Sequence, residues 1–319
     1  MGEHAGEMVK SVLIFPGQGA QEVGMGKDLA DRFPAAREVF QSIDDALDVA
    51  LSRLMWEGPE DELTLTHNAQ PAILAHSTAV HTLVRSAISP VAAAGHSLGE
   101  YSAYVAAGSL PVRDAARLVR RRGELMLEAG EAREGTMAAV LGLATEVVER
   151  ACRQAGTDGS VVVAGNLNTH DQTVISGDPD AVARAGEACK EAGAKRVLPL
   201  NVSGAFHSAL MEPAREGLDA ALGTVDFADP AFPVVANASA KPVRDGGTAV
   251  RLLREQLVSP VRWVGCMEWA ARVAEPDAAF LELGPGKVLA GLLKRIVKGV
   301  TVQSLGTADD VTAFMEAHG

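Results

Sequence analysis

The order of apolar and polar positions along the chain predicts strands that alternate with helices. Short apolar runs that end at glycine or proline predict strands, and longer runs with apolar residues three and four positions apart predict helices. Pro71 is predicted at the first position of its helix, where a missing N–H has no cost. Gly130 and Gly135 predict a break. In this first part the predicted strands cover 12–15 and 91–94, and the helices cover 70–86, 98–107 and 113–127.

Residues 137–200 have the most regular pattern, and it predicts the order β-α-β-β-α-β. This is the order of the ferredoxin-like module, a four-stranded sheet with both helices on one face. The predicted strands cover 137–141, 161–164, 173–176 and 195–200, and the helices cover 145–155 and 181–192.

The rest of the chain returns to alternating strands and helices. Such alternation predicts a parallel sheet with helices on both faces. The predicted fold class is α/β, with a large subdomain at 10–132 and 203–319 and an inserted ferredoxin-like small subdomain at 133–202. The predicted elements of this last part are helices at 211–222, 249–258, 264–273 and 288–296, strands at 234–236, 279–283 and 300–304, and a final helix from 309.

The composition is that of an ordinary globular protein, with 319 residues of which 47% are hydrophobic and 22% charged. No run approaches the roughly 20 apolar residues of a membrane span. The amino-terminal residues lack the apolar core of a secretion signal, so we expect a cytoplasmic protein. Cys152, Cys189 and Cys266 are widely spaced, which predicts neither a disulfide framework nor a zinc site.

The net charge of −12 disfavours nucleic acid as a partner, because like charges repel at long range. An anionic substrate would need a local group of cations. The candidates are the run from Arg120 to Arg122 and the group formed by Lys294, Arg295 and Lys298. Positive charge is also favoured at the end of a helix without any ligand, so neither group is assigned on charge alone.

The segment Gly95-His96-Ser97-Leu98-Gly99 has the G-x-S-x-G pattern and lies between a predicted strand and a predicted helix. In that position the pattern is typical of a nucleophile elbow. The tight turn exposes Oγ of Ser97, and the N–H groups that begin the following helix can stabilise an oxyanion. The alternative is an ordinary structural turn, because the pattern alone is common.

A serine nucleophile needs a base, and His207 is the strongest candidate among the eight histidines. It follows a predicted strand among small residues that let a ligand approach, and a histidine pKa near 6.5 suits proton transfer. A loop histidine without a catalytic role is the alternative. The other histidines are predicted at the chain ends, in loops, within a helix or directly beside Ser97 (His4, His318, His67, His170, His76, His81 and His96).

The loop Pro16-Gly17-Gln18-Gly19 follows the first predicted strand. Enzymes with a nucleophile elbow draw a second oxyanion donor from a loop after an early strand, in addition to the N–H of the residue after the nucleophile, here Leu98. A plain glycine turn is the alternative for this loop.

Taken together, these motifs resemble the malonyl-CoA:acyl carrier protein transacylase family, including the stand-alone acyltransferases of fatty acid and polyketide synthesis. The resemblance spans almost the whole chain and implies a hydrolase-like α/β large subdomain with a ferredoxin-like insertion. The matching residues are Phe15-Pro16-Gly17-Gln18-Gly19 with Gln21, Gln70-Pro71-Ala72, Gly95 to Tyr101, Arg122-Gly123, Asn166, Phe206-His207-Ser208, Gln256 with Ser259-Pro260-Val261, and Glu282 to Gly286.

The resemblance implies catalytic roles for five of these residues. Ser97 is the nucleophile, and His207 is the general base. The main-chain carbonyl of Gln256 orients the histidine in place of the usual acidic residue. The backbone N–H groups of Gln18 and Leu98 form the oxyanion hole.

The resemblance also implies a substrate-binding set. Arg122 binds the free malonyl carboxylate through paired hydrogen bonds that lysine cannot reproduce, which selects against acetyl and other neutral acyl groups. Phe206 resembles the bulky residue that precedes the histidine in malonyl-selective polyketide acyltransferases. Gln70 and Asn166 complete the set.

The implied reaction moves malonyl from malonyl-CoA to the phosphopantetheine thiol of an acyl carrier protein through a seryl ester, without a metal or a bound cofactor. A monomer is the usual form of the family. The string Gly204-Ala205-Phe206-His207-Ser208 favours polyketide over fatty acid synthesis. The carrier protein is expected on one of two basic areas, formed by Lys294, Arg295 and Lys298 or by Lys190, Lys195 and Arg196.

Three alternatives to this function are considered. An acyl hydrolase would use the same Ser97 and His207 but release the acid to water. A transferase for a different acyl unit, or one that acts between two carrier proteins, would belong to the same class, although Arg122 argues against a neutral acyl group. An inactive docking protein would have no reason to keep Ser97, His207, Gln18 and Arg122 together.

Overall fold

The computed structural model describes residues 8–274 and 276–319. His4 and most of the amino-terminal stretch considered above for a secretion signal lie outside these ranges. Within them, no helix combines the length and the apolar character that a membrane crossing requires.

The large sheet has six strands, and its two central strands lead into the loops that carry the nucleophile motif and the Gln18 loop. Five of the strands run parallel, and only the edge strand β8 is antiparallel to its neighbour β7. The strands are β1 Val9–Phe15, β2 Ile88–Gly95, β7 Val234–Ala236, β8 Lys241–Val243, β9 Ala279–Leu283 and β10 Val302–Leu305, in the spatial order β10-β9-β1-β2-β7-β8.

Strand β1 is buried on both faces, as a central parallel strand must be. Its side chains point alternately to the two sides, so Leu13 and Phe15 enter one apolar core while Val12 and Ile14 enter a second. Each core is closed by helices. The sequence alternation is therefore realised as a three-layer arrangement, and the predicted α/β class is confirmed.

Helices account for most of the rest of the described chain. They are α1 Lys27–Arg32, α2 Pro34–Leu47, α3 Leu51–Glu57, α4 Glu60–Thr64, α5 Thr66–Val84, α6 Gly99–Ala106, α7 Val112–Ala132, α8 Thr145–Ala155, α9 Pro179–Glu191, α10 Glu212–Leu222, α11 Gly246–Gln256, α12 Trp263–Ala274, α13 Val288–Ile296 and α14 Ala308–His318. The sequence pattern predicts no element between 16 and 69, where α1 to α4 and the start of α5 lie. These are mostly short helices joined by tight turns.

The small sheet forms the ferredoxin-like module. Its strands are β3 Thr136–Leu141, β4 Val162–Thr169, β5 Gln172–Gly177 and β6 Arg196–Pro199, in the spatial order β4-β5-β3-β6 with antiparallel pairing throughout. Helices α8 and α9 pack together against it through one apolar core that includes Val140 and Ile175.

Backbone hydrogen bonds join the small sheet to the large subdomain. The N–H of Val261 donates to the carbonyl of Gly165 over 2.8 Å, and the N–H of Leu167 donates to the carbonyl of Val261 over 2.9 Å. On the other side, Arg295 of α13 pairs with Asp171 in the turn between β4 and β5 at 2.6 Å. The module is thus fixed against the segment before α12 and against α13.

Two predictions about helix ends are wrong, and each has a tertiary cause. Helix α5 begins at Thr66, so Pro71 lies in its interior and His67 belongs to the helix, although a loop was predicted for it. The carbonyl of His67, which Pro71 leaves without a backbone donor, accepts a hydrogen bond from Nη1 of Arg120 at 3.3 Å. A side chain from α7 therefore compensates for the proline.

Helix α7 runs to Ala132 and contains Gly130, where a break was predicted. A Cβ at this position would lie 2.1 Å from the carbonyl oxygen of Ser203. The glycine is therefore required by the close approach of another segment and does not end the helix.

Candidate active site

Ser97 lies at the carboxyl end of β2, in the turn that leads into α6. Its φ is 52°, a left-handed conformation that is strained for a residue with a side chain. A Cβ on Gly95 would lie 1.9 Å from the Gly99 backbone, and a Cβ on Gly99 would lie 2.2 Å from the carbonyl oxygen of Phe15. Both glycines are needed for this tight turn, so the G-x-S-x-G segment has the geometry of a nucleophile elbow.

His207 faces Ser97 across the site. Its Nε2 lies 2.7 Å from Oγ of Ser97. On its other side, Nδ1 lies 3.0 Å from the carbonyl oxygen of Gln256 and 3.2 Å from that of Ser259. Because carbonyl oxygens only accept, Nδ1 carries the proton and Nε2 is the acceptor for the hydroxyl of Ser97.

The surroundings of His207 keep its ring neutral. Burial lowers its pKa to about 3, and the nearby guanidinium of Arg122 acts in the same direction. A neutral imidazole whose Nε2 is directed at a hydroxyl is the arrangement that general-base catalysis requires.

Arg122 reaches the site from α7 and is almost entirely buried, with 1% of its surface exposed. Its Nη1 donates to Oε1 of Gln70 at 2.8 Å, and its Nη2 donates to Oε1 of Gln256 at 3.0 Å and to Oγ of Ser97 at 3.1 Å. These partners are neutral. A buried guanidinium beside the nucleophile is therefore available to an anionic group of a substrate.

Two residues that received no role from the sequence lie beneath the elbow. Oδ1 of Asn237 accepts the N–H of Ser97 at 2.7 Å, and its Nδ2 donates to the carbonyl of Gly95 at 2.8 Å. Oε2 of Glu100 accepts the N–H of Asn237 at 3.0 Å and Nε2 of Gln256 at 2.8 Å. Glu100 directly follows the G-x-S-x-G segment, so the sequence could have indicated it, whereas no local sequence feature marks Asn237.

The Gln18 loop packs directly against the elbow. A Cβ on Gly17 would lie 2.4 Å from the carbonyl oxygen of His96. The side chain of Gln18 donates to the hydroxyl of Thr66 at 3.2 Å. Leu98 is the residue before the first turn of α6. The structure thus brings the two predicted oxyanion residues to the same place.

A cavity of about 290 Å³ opens at Ser97. The small sheet contributes Asn166, whose buried Oδ1 has no hydrogen-bond partner among the described residues. Gln70 and Gln256 lie behind the wall, in contact with Arg122. The predicted site residues on the wall are Gln18, Ser97, Leu98, Arg122, Asn166, Phe206 and His207.

The cavity continues into two further spaces. It shares Gln18 and Val202 with a groove of about 660 Å³ beside α4, and it shares Gln18 and Leu200 with a cleft of about 270 Å³ that reaches α13. Ser97 can therefore be approached by a long, extended substrate.

No group of three or more His, Cys, Asp or Glu side chains within residues 8–274 and 276–319 is arranged to hold a metal ion. Cys152, Cys189 and Cys266 are all buried and unpaired.

Comparison with known proteins places the chain in an acyltransferase family. The family described as acyl transferase domain matches residues 12–317. A malonyl CoA-acyl carrier protein transacylase of Bacillus subtilis is 47% identical over 290 residues, which are 91% of each chain. A protein of the same name from Escherichia coli is 42% identical over 311 residues, which are 97% of this chain and all of the other.

Solved structures with similar folds lead to the same family. An acyl carrier protein S-malonyltransferase of Vibrio cholerae has a TM-score of 0.90 and 42% identity, covering 95% of this chain and 98% of that one. A malonyl-transacylase in complex with a type II polyketide acyl-carrier protein has a TM-score of 0.91 and 41% identity, covering 97% and 99%. This chain is an acyltransferase and belongs to the malonyl-CoA:acyl carrier protein transacylase family.

Proposed function

We propose that this protein transfers malonyl from malonyl-CoA to the phosphopantetheine thiol of an acyl carrier protein through an ester on Ser97. The observation that carries the proposal is the buried guanidinium of Arg122, 3.1 Å from the nucleophilic oxygen. A malonyl group places a carboxylate two bonds from its thioester carbon. The one substrate can therefore meet Arg122 and Ser97 at the same time.

In the first half-reaction, Oγ of Ser97 attacks the thioester carbon while Nε2 of His207 accepts its proton. The carbonyl of Gln256 stabilises the imidazolium through Nδ1. The negative oxygen of the tetrahedral intermediate is held by the N–H groups of Gln18 and Leu98, and loss of one such donor costs about 100- to 1,000-fold in rate. The C–S bond then breaks, and the coenzyme A thiol leaves with the proton from His207.

The second half-reaction reverses these roles. His207 takes the proton of the carrier thiol, and the sulfur attacks the ester carbon. The C–O bond to Ser97 breaks, and Oγ recovers the proton. No step needs a metal or a bound cofactor, so we propose none.

Substrate selection in this proposal rests mainly on Arg122. When the acyl group lacks a carboxylate, the buried guanidinium loses an ionic partner, which disfavours acetyl-CoA. We assign Phe206 to packing against the malonyl methylene, and Gln70 to holding Arg122 in place. Asn166 is assigned to substrate binding, because its buried Oδ1 has no partner among the described residues.

We assign residues 10–132 and 203–319 to the large subdomain and 133–202 to the small one, with the substrate bound between them. The assignment is supported by the position of β3 to β6 within 133–202 and by the cavity wall, which takes residues from both parts. We further propose that the protein acts as a monomer. A cytoplasmic location is supported by the three buried, unpaired cysteines, which suit a reducing compartment.

The carrier protein belongs to fatty acid or polyketide synthesis in this proposal. Of the two basic areas, the one with Lys195 and Arg196 is favoured, because β6 continues directly into Leu200 and Val202 of the cavity wall. Pairing with acidic residues does not separate the two areas, because Arg295 of the other area pairs with Asp171 and Lys190 of this one pairs with Glu187.

The test is intact mass after wild type and Ser97→Ala are mixed with malonyl-CoA, followed by addition of phosphopantetheinylated carrier protein. A malonyl adduct on wild type alone, which then moves to the carrier, is expected. An adduct that decays to malonate without a carrier would indicate a hydrolase, and absence of an adduct on wild type would reject the donor.

A further inference from the structure

The carboxyl group of Glu100 lies beneath the active site and is fully buried. Its Oε2 accepts two hydrogen bonds, from the backbone of Asn237 and from the side chain of Gln256. The reaction described above gives it no task. A buried carboxyl group is costly to keep in a protein unless its contacts compensate.

One path leads through the side-chain amide of Gln256. Its Oε1 accepts from Arg122 at 3.0 Å, and its Nε2 donates to Glu100 at 2.8 Å and to the carbonyl of Ser97 at 2.9 Å. A guanidinium only donates and a carboxylate only accepts, so this arrangement fixes which end of the amide faces each partner. The main chain of the same Gln256 orients His207.

The second path leads through Asn237. Glu100 accepts the backbone N–H of this residue, whose side chain holds the N–H of Ser97 and the carbonyl of Gly95. Asn237 thus binds the strained turn at Gly95 and at Ser97, and Glu100 holds the backbone of Asn237.

We propose that Glu100 is a positioning residue of the transfer reaction, whose buried carboxylate holds Gln256 and Asn237 and thereby fixes the Ser97 turn, the guanidinium of Arg122 and the carbonyl that orients His207. The proposal rests on the malonyl transfer proposed above. It adds to that function a residue that touches neither the substrate nor the reacting atoms.

The carboxylate form is the one that performs this task, since hydrogen bonds to an ionised acceptor are roughly twice as strong as neutral ones. Burial raises the pKa of Glu100 to about 7. The titratable groups that face it are Arg122 from α7, Tyr101 and Tyr104 from its own helix and Cys266 from α12.

None of these neighbours changes charge near pH 7. Burial raises the pKa values of Tyr101, Tyr104 and Cys266 far into the alkaline range, and Arg122 stays cationic. His207, with its pKa lowered to about 3, is also neutral there. Burial also lowers the pKa of His96, the other histidine on the cavity wall. A change of rate near pH 7 in the acylation step therefore reports on Glu100.

The test compares Glu100→Gln with Glu282→Gln in single-turnover malonylation of Ser97 at several pH values. Glu282 is a matched control because its carboxyl group is also fully buried and accepts several hydrogen bonds, but its partners are the start of α13 and Ser304. Melting temperatures of both variants are measured alongside, and the ratio of malonyl to acetyl transfer is recorded.

We expect Glu100→Gln to lower the malonylation rate by about 10- to 100-fold, the range that misplacement of reacting groups produces. Its preference for malonyl over acetyl should fall as well, since Arg122 loses its fixed partner. The wild-type rate should decline below pH about 7, and the decline should be absent in Glu100→Gln.

Equal rates and equal pH profiles in the two variants would overturn the inference, even if both melt at lower temperature. If Glu100→Gln does not fold, a wild-type rate that is constant between about pH 6 and about pH 8 would overturn it alone. A wild type that forms no malonyl adduct at any pH would instead overturn the proposed function.

Discussion

At the scale of single residues, the site depends on two ionisable side chains that are buried beside the nucleophile. Arg122 and Glu100 are both fully enclosed, yet they do not contact each other directly, and the amide of Gln256 bridges them. The guanidinium therefore keeps hydrogen-bonding capacity for a substrate. A direct ion pair with Glu100 would have occupied it.

Arg122→Ala tests the role of the guanidinium. Hydrogen bonds to charged groups contribute about 1.5–3 kcal/mol, so we expect the ratio of malonyl to acetyl transfer to fall by about 10- to 100-fold. Competition of the two coenzyme A esters for the wild type and the variant, followed by intact mass, measures this ratio.

Arg121→Ala is the control, because Arg121 is the neighbour in the sequence but is partly exposed and pairs with Glu124 and Glu128. Its ratio should stay at the wild-type value. An Arg122→Ala enzyme that still prefers malonyl as strongly as the control would contradict the assignment.

Glu100 also gives the folded protein a pH dependence with a defined sign. Its pKa is about 7 in the folded protein and 4.5 in the reference state, so between these values the folded state binds a proton that the unfolded chain lacks. The neutral Glu100 carboxyl group therefore contributes stability that is fully present below pH 4.5 and is lost as the pH rises through about 7. Glu100→Gln removes this titration.

We therefore expect the free energy of unfolding of Glu100→Gln, relative to wild type, to rise from about pH 5 to about pH 8. Urea unfolding of both proteins at the two pH values measures it, and His207 cancels from the comparison because both proteins contain it. A difference that does not change with pH would show that Glu100 has an ordinary pKa.

At the scale of elements, the sequence predicts best where the cause of a structure is local. The elbow was predicted because glycine, serine and glycine stand together between a strand and a helix. The interior positions of Pro71 and Gly130 were missed because their causes are Arg120 and Ser203, which lie far away in the sequence.

The site residues that could be predicted also differ from the others in whether their role has a local cause. Ser97 and His207 carry chemistry in their own side chains and lie in recognisable surroundings. Asn237 acts on Ser97 across 140 positions of sequence, and no spacing or periodicity marks such a contact. Glu100 was part of a recognised motif, but its task depends on Asn237 and Gln256.

Two helical glycines allow a matched test of the packing argument. A Cβ on Gly130 of α7 would lie 2.1 Å from the backbone oxygen of Ser203, whereas a Cβ on Gly291 of α13 has nothing within 4 Å. Gly291→Ala should stabilise the protein by about 0.5–1 kcal/mol, since alanine is the better helix former. Gly130→Ala should destabilise it, because the backbone of α7 or of Ser203 must shift to make room for the Cβ.

Chemical denaturation of the two variants measures both changes. The propensity gain is the same in each case, so the difference between them isolates the contact with Ser203. Equal stabilisation by the two substitutions would show that the chain near 203 moves without cost.

At the scale of the whole molecule, an enzyme with a net charge of −12 repels anionic molecules, among them coenzyme A and any acidic carrier protein. Local basic areas must then outweigh the overall repulsion. In the area formed by Lys190, Lys195 and Arg196, exposed Lys195 directly precedes the edge strand β6 and exposed Arg196 begins it. This strand leads to the cavity, and exposed Leu198 lies between the two basic residues and the cavity wall.

Reversal of charge at Lys195 and Arg196 to glutamate should slow transfer from the preformed malonyl-enzyme to an acidic carrier protein by about 10-fold and weaken its salt dependence. Rapid-quench transfer assays at two ionic strengths measure both effects. Lys10→Glu, near the end of β1 remote from the site, should leave the rate unchanged.

The same reversal at Lys294 and Lys298 decides between the two areas. If only the variant with both Lys294 and Lys298 reversed transfers malonyl more slowly, the docking face lies at α13. Unchanged transfer in both double variants would reject a basic docking face of either kind.

The main-chain carbonyl that orients His207 has a consequence for how the enzyme can be inactivated by mutation. Every residue type carries such a carbonyl, so no codon change at Gln256 deletes it. It also brings no negative charge into a cavity that must admit a carboxylate, whereas an aspartate there would repel the substrate. Random mutagenesis should therefore damage this part of catalysis through substitutions that redirect the chain between α11 and α12, such as those at buried Leu257 and Val261.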